Sequence, residues 1–402
     1  MAGLSREEAR DRLADLLVGF GANVQPGQFV EVSGLLETRD LMLAITERCY
    51  KAGALHVELD YADLWLKRAR IEHGGDDALG YAPSWQVERV RAIGDARSAT
   101  ITLVGAPSQA PLKGVDPERL GRDVPPTSAE WLKALGERTI NWTIGPAPTR
   151  EWAERVYPDL SPEEALDRLW HDVARVTRLD EPDPVAAWTE RMDMLAGVAE
   201  RLTERRFDRL RFEGPGTDLT VGLLPTSRFH AGGAETVGGI AHKPNLPTEE
   251  VFTTPDPTRT EGVVRSTKPL ELGGTLVSGL TVRFEGGRAV QIDADEGAEV
   301  LRARTTHDDG AAYLGEVALV DGDTRIGLLD TVFLTTLLDE NAASHIALGS
   351  GFEWAVGDDD HDRINHSEIH IDFMIGSPEV DVTGITSSDD DVPILRGGAW
   401  QL

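Results

Sequence analysis

The sequence predicts an α/β half carrying an open sheet, followed by a mixed α+β half. The chain has 402 residues, more than one hydrophobic core usually supports. Between residues 29 and 59, strand, helix and strand patterns follow one another at the spacing of a right-handed βαβ unit. From residue 207 onward, short apolar runs separated by glycine-rich turns replace that pattern.

Residues 5–19 read as an amphipathic helix with Leu13, Leu16 and Leu17 on one face. Gln25-Pro26-Gly27-Gln28 is a turn leading into a strand over 29–33. Thr38 is placed to cap a helix over 39–52 that ends at Gly53, and 55–59 is the second strand. Runs at 100–104 and 139–144 add further strands. Ser161-Pro162 opens a helix over 163–178, Asp180-Glu181-Pro182-Asp183-Pro184 breaks it, and 185–202 is helical again. The expected boundary falls in this region. Residues 1–190 would form an α/β domain that caps the site or builds a dimer, and 191–402 an α+β catalytic domain. In the second part, Phe284-Glu285-Gly286-Gly287-Arg288 signals a hairpin, and helices are expected over 296–304 and 330–347. The chain shows no internal repeat, and the acidic clusters at 358–360 and 389–391 read as solvated loops.

Composition narrows the function. A formal net charge of -29 repels phosphate backbones and anionic lipid, so neither nucleic acid nor a membrane is an expected partner. No apolar stretch approaches the ~18 residues of a membrane span, and the N-terminus lacks the basic-then-apolar pattern of a signal peptide. The single cysteine, Cys49, excludes both a disulfide framework and a thiolate metal cage. A cytoplasmic protein is the expectation. The first half carries no phosphate-loop or dinucleotide signature, and the pairs Gly232-Gly233 and Gly238-Gly239 lack the strand-then-helix context such a site needs.

The residues with chemical potential lie in the second half. In Glu368-Ile369-His370-Ile371-Asp372-Phe373, apolar and polar residues alternate, so a strand would project His370 and Asp372 from one face toward one cation. His345 lies among small residues on the expected helix ending at Gly349. Glu316 opens an apolar run, where an ionised carboxylate is costly to bury without a cation. Glu249 and Glu250 are adjacent carboxylates, one suited to hold metal and the other to move protons. Each alone is also compatible with a structural role: a core histidine on a carbonyl, a His–Asp hydrogen bond, an exposed strand start, a helix-capping acid. Together, two imidazoles and three carboxylates suit zinc, cobalt or manganese better than magnesium or calcium. Three carboxylates, two dications and one hydroxide also sum to neutrality, which a partly buried site tolerates.

At these residues the sequence resembles the thermophilic metallo-aminopeptidase family, that of the aminopeptidase T, aminopeptidase S and PepS-type peptidases. The resemblance spans almost the whole chain. It rests on five stretches, at 179–188, 214–223, 245–252, 339–349 and 370–377. It implies a homodimer, two divalent metal ions per chain held by Glu250, Glu316, His345, His370 and Asp372, and release of N-terminal residues from peptides with a free N-terminus. Glu249 is the expected proton shuttle. One departure stands out: where the family pattern carries a tyrosine, this chain has Phe352, which offers no hydroxyl. Tyr313 is the nearest candidate substitute.

Two rival readings use the same residues. His345, His370 and Asp372 alone would suffice for the two-histidine, one-carboxylate triad of a mononuclear iron ring-cleaving dioxygenase. An inactive metal- or peptide-binding homologue is the second, favoured only by Phe352.

Overall fold

The computed structural model describes residues 4–106, 110–123, 125–272 and 275–402, and every count below refers to these. The chain divides into two compact units, residues 1–187 with 233–247, and 188–232 with 248–402. None of the helices is long and apolar enough to cross a membrane.

The first unit is built on four parallel strands: β1 (Phe29–Leu35), β2 (His56–Ala62), β3 (Ala99–Val104) and β4 (Asn141–Pro146), in the order β2-β1-β3-β4. The expected βαβ unit is present, with α2 (Arg39–Lys51) crossing over between β1 and β2 after α1 (Arg6–Leu16). Thr38 stands at the N-cap of α2, but its hydroxyl donates back to the Leu35 carbonyl and does not accept from the first turn. Segment 233–247 joins this unit through Ile144 N–H donating to the Pro244 carbonyl at 2.7 Å and Lys243 N–H to that of Gly21 at 2.7 Å. Helix α3 (Ser84–Asp95) leads into β3, and α4 (Pro162–Val176) begins with a reciprocal capping box between Ser161 and Glu164.

The second unit opens on α5 (Pro184–Arg205), whose first turn is satisfied by Asp183 accepting from Ala186 N–H. An antiparallel eight-stranded sheet follows: β5 (Arg209–Gly214), β6 (Thr217–Leu223), β9 (Pro255–Arg265), β10 (Thr281–Glu285), β11 (Arg288–Asp293), β15 (Asp381–Ile385), β16 (Asp391–Arg396) and β17 (Ala399–Trp400). The hairpin read at Gly286-Gly287 joins β10 to β11. A separate five-stranded antiparallel sheet is made of β7 (His230–Ala231), β8 (Glu250–Thr253), β12 (Leu314–Val320), β13 (His345–Gly349) and β14 (His370–Met374), ordered β14-β13-β12-β8-β7. Phe212, Leu219, Val221, Val317, Ile346, Leu348 and Phe373 belong to one apolar core that both sheets share.

One helix was misplaced. The stretch expected to be helical over 330–347 contains a single turn, Thr336–Asp339, and a 3-10 turn, Glu340–Ala342, before strand β13 begins at His345. The small residues Ala342, Ala343 and Ser344 carry no strong local preference for a strand. The decision is tertiary: β13 pairs with β12 on one side and β14 on the other and is buried throughout.

Candidate metal centre

The five predicted ligands lie on one face of the five-stranded sheet, and the register shows why. Asp372 on β14 stands opposite Ala347 on β13, which in turn stands opposite Glu316 on β12. One step along, His345 opposes Ala318, and Ala318 opposes Phe252 on β8. His370 and Glu250 lie two residues from Asp372 and Phe252, so they share that face. The residues between the ligands, Ala347 and Ala318, are small and leave room above the sheet.

Two glycines make this register possible. A β-bulge interrupts β12 immediately before Glu316, and a Cβ on Gly315 would sit 2.2 Å from the Ser350 carbonyl oxygen. Gly349, opposite His370, has φ +109°, and a Cβ there would lie 2.0 Å from the Ile369 oxygen.

The side chains converge in two groups that share one member. Ligand atoms of Glu250, Glu316 and His345 lie within 4.8 Å of one another, and so do those of Glu316, His370 and Asp372. These are the sole such groupings of three or more among the described residues. His345, His370 and Asp372 do not form a group of their own; Glu316 joins them. The three-residue arrangement of the dioxygenase reading is therefore not what the fold assembles.

Several details fit the site to a cation. His345 Nδ1 lies 3.2 Å from the Ala343 carbonyl oxygen, and His370 Nδ1 lies 2.9 Å from that of Ser350. A carbonyl only accepts, so each Nδ1 carries a proton and each Nε2 is presented to the carboxylates, the arrangement typical of metal-bound histidine. His345 Nε2 is 3.1 Å from Glu250 Oε2, and His370 Nε2 is 2.9 Å from Glu316 Oε2 and 3.4 Å from Asp372 Oδ1. Yet Glu250 Oε2 and Asp372 Oδ1 are buried without a hydrogen bond of proper geometry. Facing lone pairs of this kind need a cation or a proton between them.

The electrostatics agree. Burial alone would lower the His345 imidazole, but Glu250, with Asp372 and Glu316 behind it, lifts it to about 10. His370 is likewise held well above its ordinary value by Asp372 and Glu316, against its burial. Burial, with repulsion from Asp372 and Glu250, raises Glu316 despite its bond to His370. Four of the ligands are under a tenth exposed, while the His370 side chain keeps 29% of its surface, so the centre opens at that end.

Glu249 stands elsewhere. It is fully buried and accepts from Arg191 Nε at 2.5 Å, while Arg191 Nη2 also donates to Asp321 at 2.5 Å. Glu250 pairs with Val320, so Glu249 and Asp321 are neighbours in the continued register. Arg191 on α5 neutralises two carboxylates that would otherwise repel across the strands. The Glu249 carboxylate thus faces Arg191, whereas that of Glu250 faces the ring of His345. Tyr313, the considered substitute for a missing tyrosine, packs under the Arg288 guanidinium at 5.8 Å.

Sequence reasoning missed Glu340. It lies in the turn before β13, and burial, with repulsion from Glu250 and Asp372, drives its carboxyl well above the ordinary range. Its neighbours hold that turn in place. Asp339 accepts from Phe333 N–H at 2.7 Å and Thr335 N–H at 3.1 Å, and Asn341 Oδ1 accepts from Glu249 N–H at 2.6 Å. The available signal was two acids set among apolar and small residues, Leu337-Leu338-Asp339-Glu340-Asn341-Ala342-Ala343.

Imidazoles and carboxylates gathered on one sheet face, with buried oxygens facing ring nitrogens, form a candidate site for divalent metal. Residues 6–400 match the thermophilic metalloprotease family M29, and the chain belongs to that family. It is 41% identical to aminopeptidase T of Thermus aquaticus over 404 residues, covering 98% of this chain and 99% of that protein. It is 36% identical to aminopeptidase 2 of Geobacillus stearothermophilus over 405 residues, 98% of both. The fold matches the solved structure of wild-type AmpT from Thermus thermophilus with a TM-score of 0.92, at 39% identity, over 99% of this chain and 100% of that one.

Proposed function

We propose that this chain is a metal-dependent aminopeptidase that hydrolyses the first peptide bond of peptides with a free N-terminus at a centre for two divalent cations. The observation that carries the reading is the pair of three-residue ligand groups sharing Glu316. One group, Glu250, Glu316 and His345, would hold one ion, and Glu316, His370 and Asp372 the other. Zinc, cobalt and manganese all suit this mixture of imidazole and carboxylate. Bound ions of this kind supply acidity that makes water nucleophilic near neutral pH and polarise a carbonyl oxygen.

The protein's own residues supply the rest. The carbonyls of Ala343 and Ser350 fix the two imidazoles in one tautomer. Glu340, buried in the turn before β13 among Glu250, Asp372, His345 and Glu316, is the candidate to take the proton of the attacking water and return it to the leaving amine. The excess of carboxylate around the site attracts the peptide's α-ammonium group, which favours a free N-terminus. Phe352 brings a ring and no hydroxyl, so no phenol assists from that position.

A homodimer and a cytoplasmic location complete the proposal. Tyr61, Trp65, Leu66, Tyr81 and Trp85 expose apolar surface on the first unit, as an interface between copies would require. A single buried cysteine suits a reducing compartment. The experiment is metal add-back to chelated protein, assayed on leucyl-p-nitroanilide and on the same peptide with free and acetylated N-termini. Zinc, cobalt or manganese should restore cleavage of the free peptide at two equivalents per chain and leave the acetylated one intact. Cleavage of both peptides, or none at full metal content, would overturn the aminopeptidase reading, the latter in favour of an inactive binding homologue.

A further inference from the structure

His370 is the ligand at the open end of the centre, and its ring is turned by Nδ1–H donating to the Ser350 carbonyl at 2.9 Å. Ser350 lies between Gly349 and Gly351, in a turn that leaves β13 with Gly349 at φ +109°. Glycines on both sides give this turn little conformational preference of its own. A distant residue supplies the constraint. The Asn365 side chain donates from Nδ2 to the Gly349 carbonyl at 2.6 Å, and the Asn365 backbone carbonyl accepts from Gly351 N–H at 2.8 Å. One residue thus holds Ser350 from both flanks.

The same amide reaches the start of β12. Nδ2 also donates to the Gly310 carbonyl at 2.8 Å and to that of Tyr313 at 3.3 Å, three residues before Glu316. Carbonyl oxygens converging on one point repel unless donor hydrogens stand between them, and a primary amide brings two. Asn365 is buried, so the amide satisfies these carbonyls in place of solvent. The backbones are pressed together here: a Cβ on Gly310 would lie 2.0 Å from the His366 carbonyl oxygen. Asp308 secures the next stretch, accepting from Ser367 Oγ at 2.9 Å and from Glu368 N–H at 2.7 Å. Residues 365–368 are therefore fixed on the backbone of 308–313, and His370 follows at the start of β14. The other imidazole has no such dependence. His345 Nδ1–H meets the Ala343 carbonyl, at the opposite end of β13 from Gly349.

We propose that Asn365 is a positioning residue of the metal centre: by bracketing Ser350 it holds the carbonyl that orients His370, and so secures the ion of the Glu316, His370 and Asp372 group and not that of the Glu250, Glu316 and His345 group. The inference rests on the two-cation reading and deepens it. A histidine binds metal through one ring nitrogen, and the hydrogen bond at the other nitrogen sets the direction of that lone pair. Without the Asn365 donor, the Gly349–Gly351 turn is released and the Ser350 carbonyl no longer holds one direction. His370 then spends less time with Nε2 turned toward Glu316 and Asp372. Groups that orient a metal-bound histidine are worth about 10–100-fold in metal affinity.

The test uses the full chain, stripped of metal and titrated with cobalt(II) against a competing chelator while the visible absorption of the bound ions is recorded. Asn365→Asp keeps the shape of the side chain and removes its donor hydrogens. Asn141→Asp is the control for a purely structural loss: Asn141 is also buried, on β4 of the first unit, and donates to the Ala22 carbonyl at 2.6 Å. His370→Ala and His345→Ala identify which absorption belongs to which ion. In Asn365→Asp one ion is expected to bind about 10–100-fold more weakly, and the other as in wild type. The absorption lost at limiting cobalt should be the one lost in His370→Ala. Asn141→Asp should keep both ions, and Asn365→Ser, which retains one donor, should fall between wild type and Asn365→Asp. Unchanged affinities, equal weakening of both ions, loss of the ion assigned by His345→Ala, or a loss shared by Asn141→Asp would each overturn the proposal. Failure of both Asn365 variants to fold would make the residue one of stability alone and overturn it too. A single tight ion in wild type would overturn the two-cation reading by itself. Asn365 is then judged on that ion: weaker binding in Asn365→Asp supports the positioning role, and unchanged binding overturns it.

Discussion

Glu249 meets a guanidinium and Glu340 meets other carboxylates, and their chemistry diverges accordingly. Arg191 gives the first a permanent counter-ion. The second is surrounded by Glu250, Asp372 and Glu316, with His345 opposing them, so it binds a proton more readily than a solvent-exposed acid. Glu340→Gln retains the size and polarity of the side chain but cannot accept a proton. It is expected to lower kcat by about 10²–10⁴-fold while metal analysis still finds two equivalents per chain. Full turnover in that variant would send the search for the proton carrier elsewhere. At this scale the sequence was informative about identity and silent about surroundings. All five ligand candidates converge, yet adjacency could not say which of Glu249 and Glu250 faces the centre. Neighbouring residues of a strand point to opposite sides, and only the pairing decides which side is which.

At the scale of elements, the parallel sheet of the first unit contains a cost of its own. Glu31 on β1 is 4% exposed, and burial lifts its carboxyl from an ordinary value near 4.5 to about 7 even though Arg89 on α3 binds it. Below about pH 4.5 it is protonated both folded and unfolded, and it contributes no pH dependence. Between about 4.5 and 7 the unfolded chain releases the proton while the folded chain retains it, so stability falls as pH rises; above about 7 the full cost is present. Glu31→Gln removes that slope. In denaturant titrations the variant should gain on wild type from pH 5 to pH 8, by at most on the order of 3 kcal/mol. Arg89 keeps Glu58 at 3.2 Å as a partner, which limits the loss from breaking the pair. A gain independent of pH would mean that Glu31 is ionised in the folded state throughout. The βαβ pattern was legible because strand and helix periods differ sharply there. Strand β13 was not, because its run of small and apolar residues suits a buried helix and a central strand equally.

For the whole molecule, the proposed ligands come from four strands, so metal held by them would be tied to the folding of the second unit. Ions that bind only the folded state stabilise it by about 4 kcal/mol when present at a thousandfold excess over their dissociation constant. For a unit of this size that corresponds to roughly 10 °C in Tm. Calorimetry with and without chelator should show a transition moving by that order. Glu316→Ala, which removes the shared ligand, should abolish the metal-dependent shift. A transition insensitive to chelator in the wild type would show that the groups do not hold ions tightly enough to matter for folding.

By itself the sequence determined the class of fold in each half, the kinds of atom available to a metal and the residues that supply them, because periodicity and side-chain chemistry are local properties. The tertiary structure decided that Glu316 belongs to both ligand groups, that Glu249 serves Arg191, that Glu340 joins the site and that Asn365 brackets Ser350 beside His370. Those facts depend on which strands pair and in what register. Register is settled by contacts between residues up to a hundred or more positions apart, such as Phe252 with Phe352, which no local window of sequence contains.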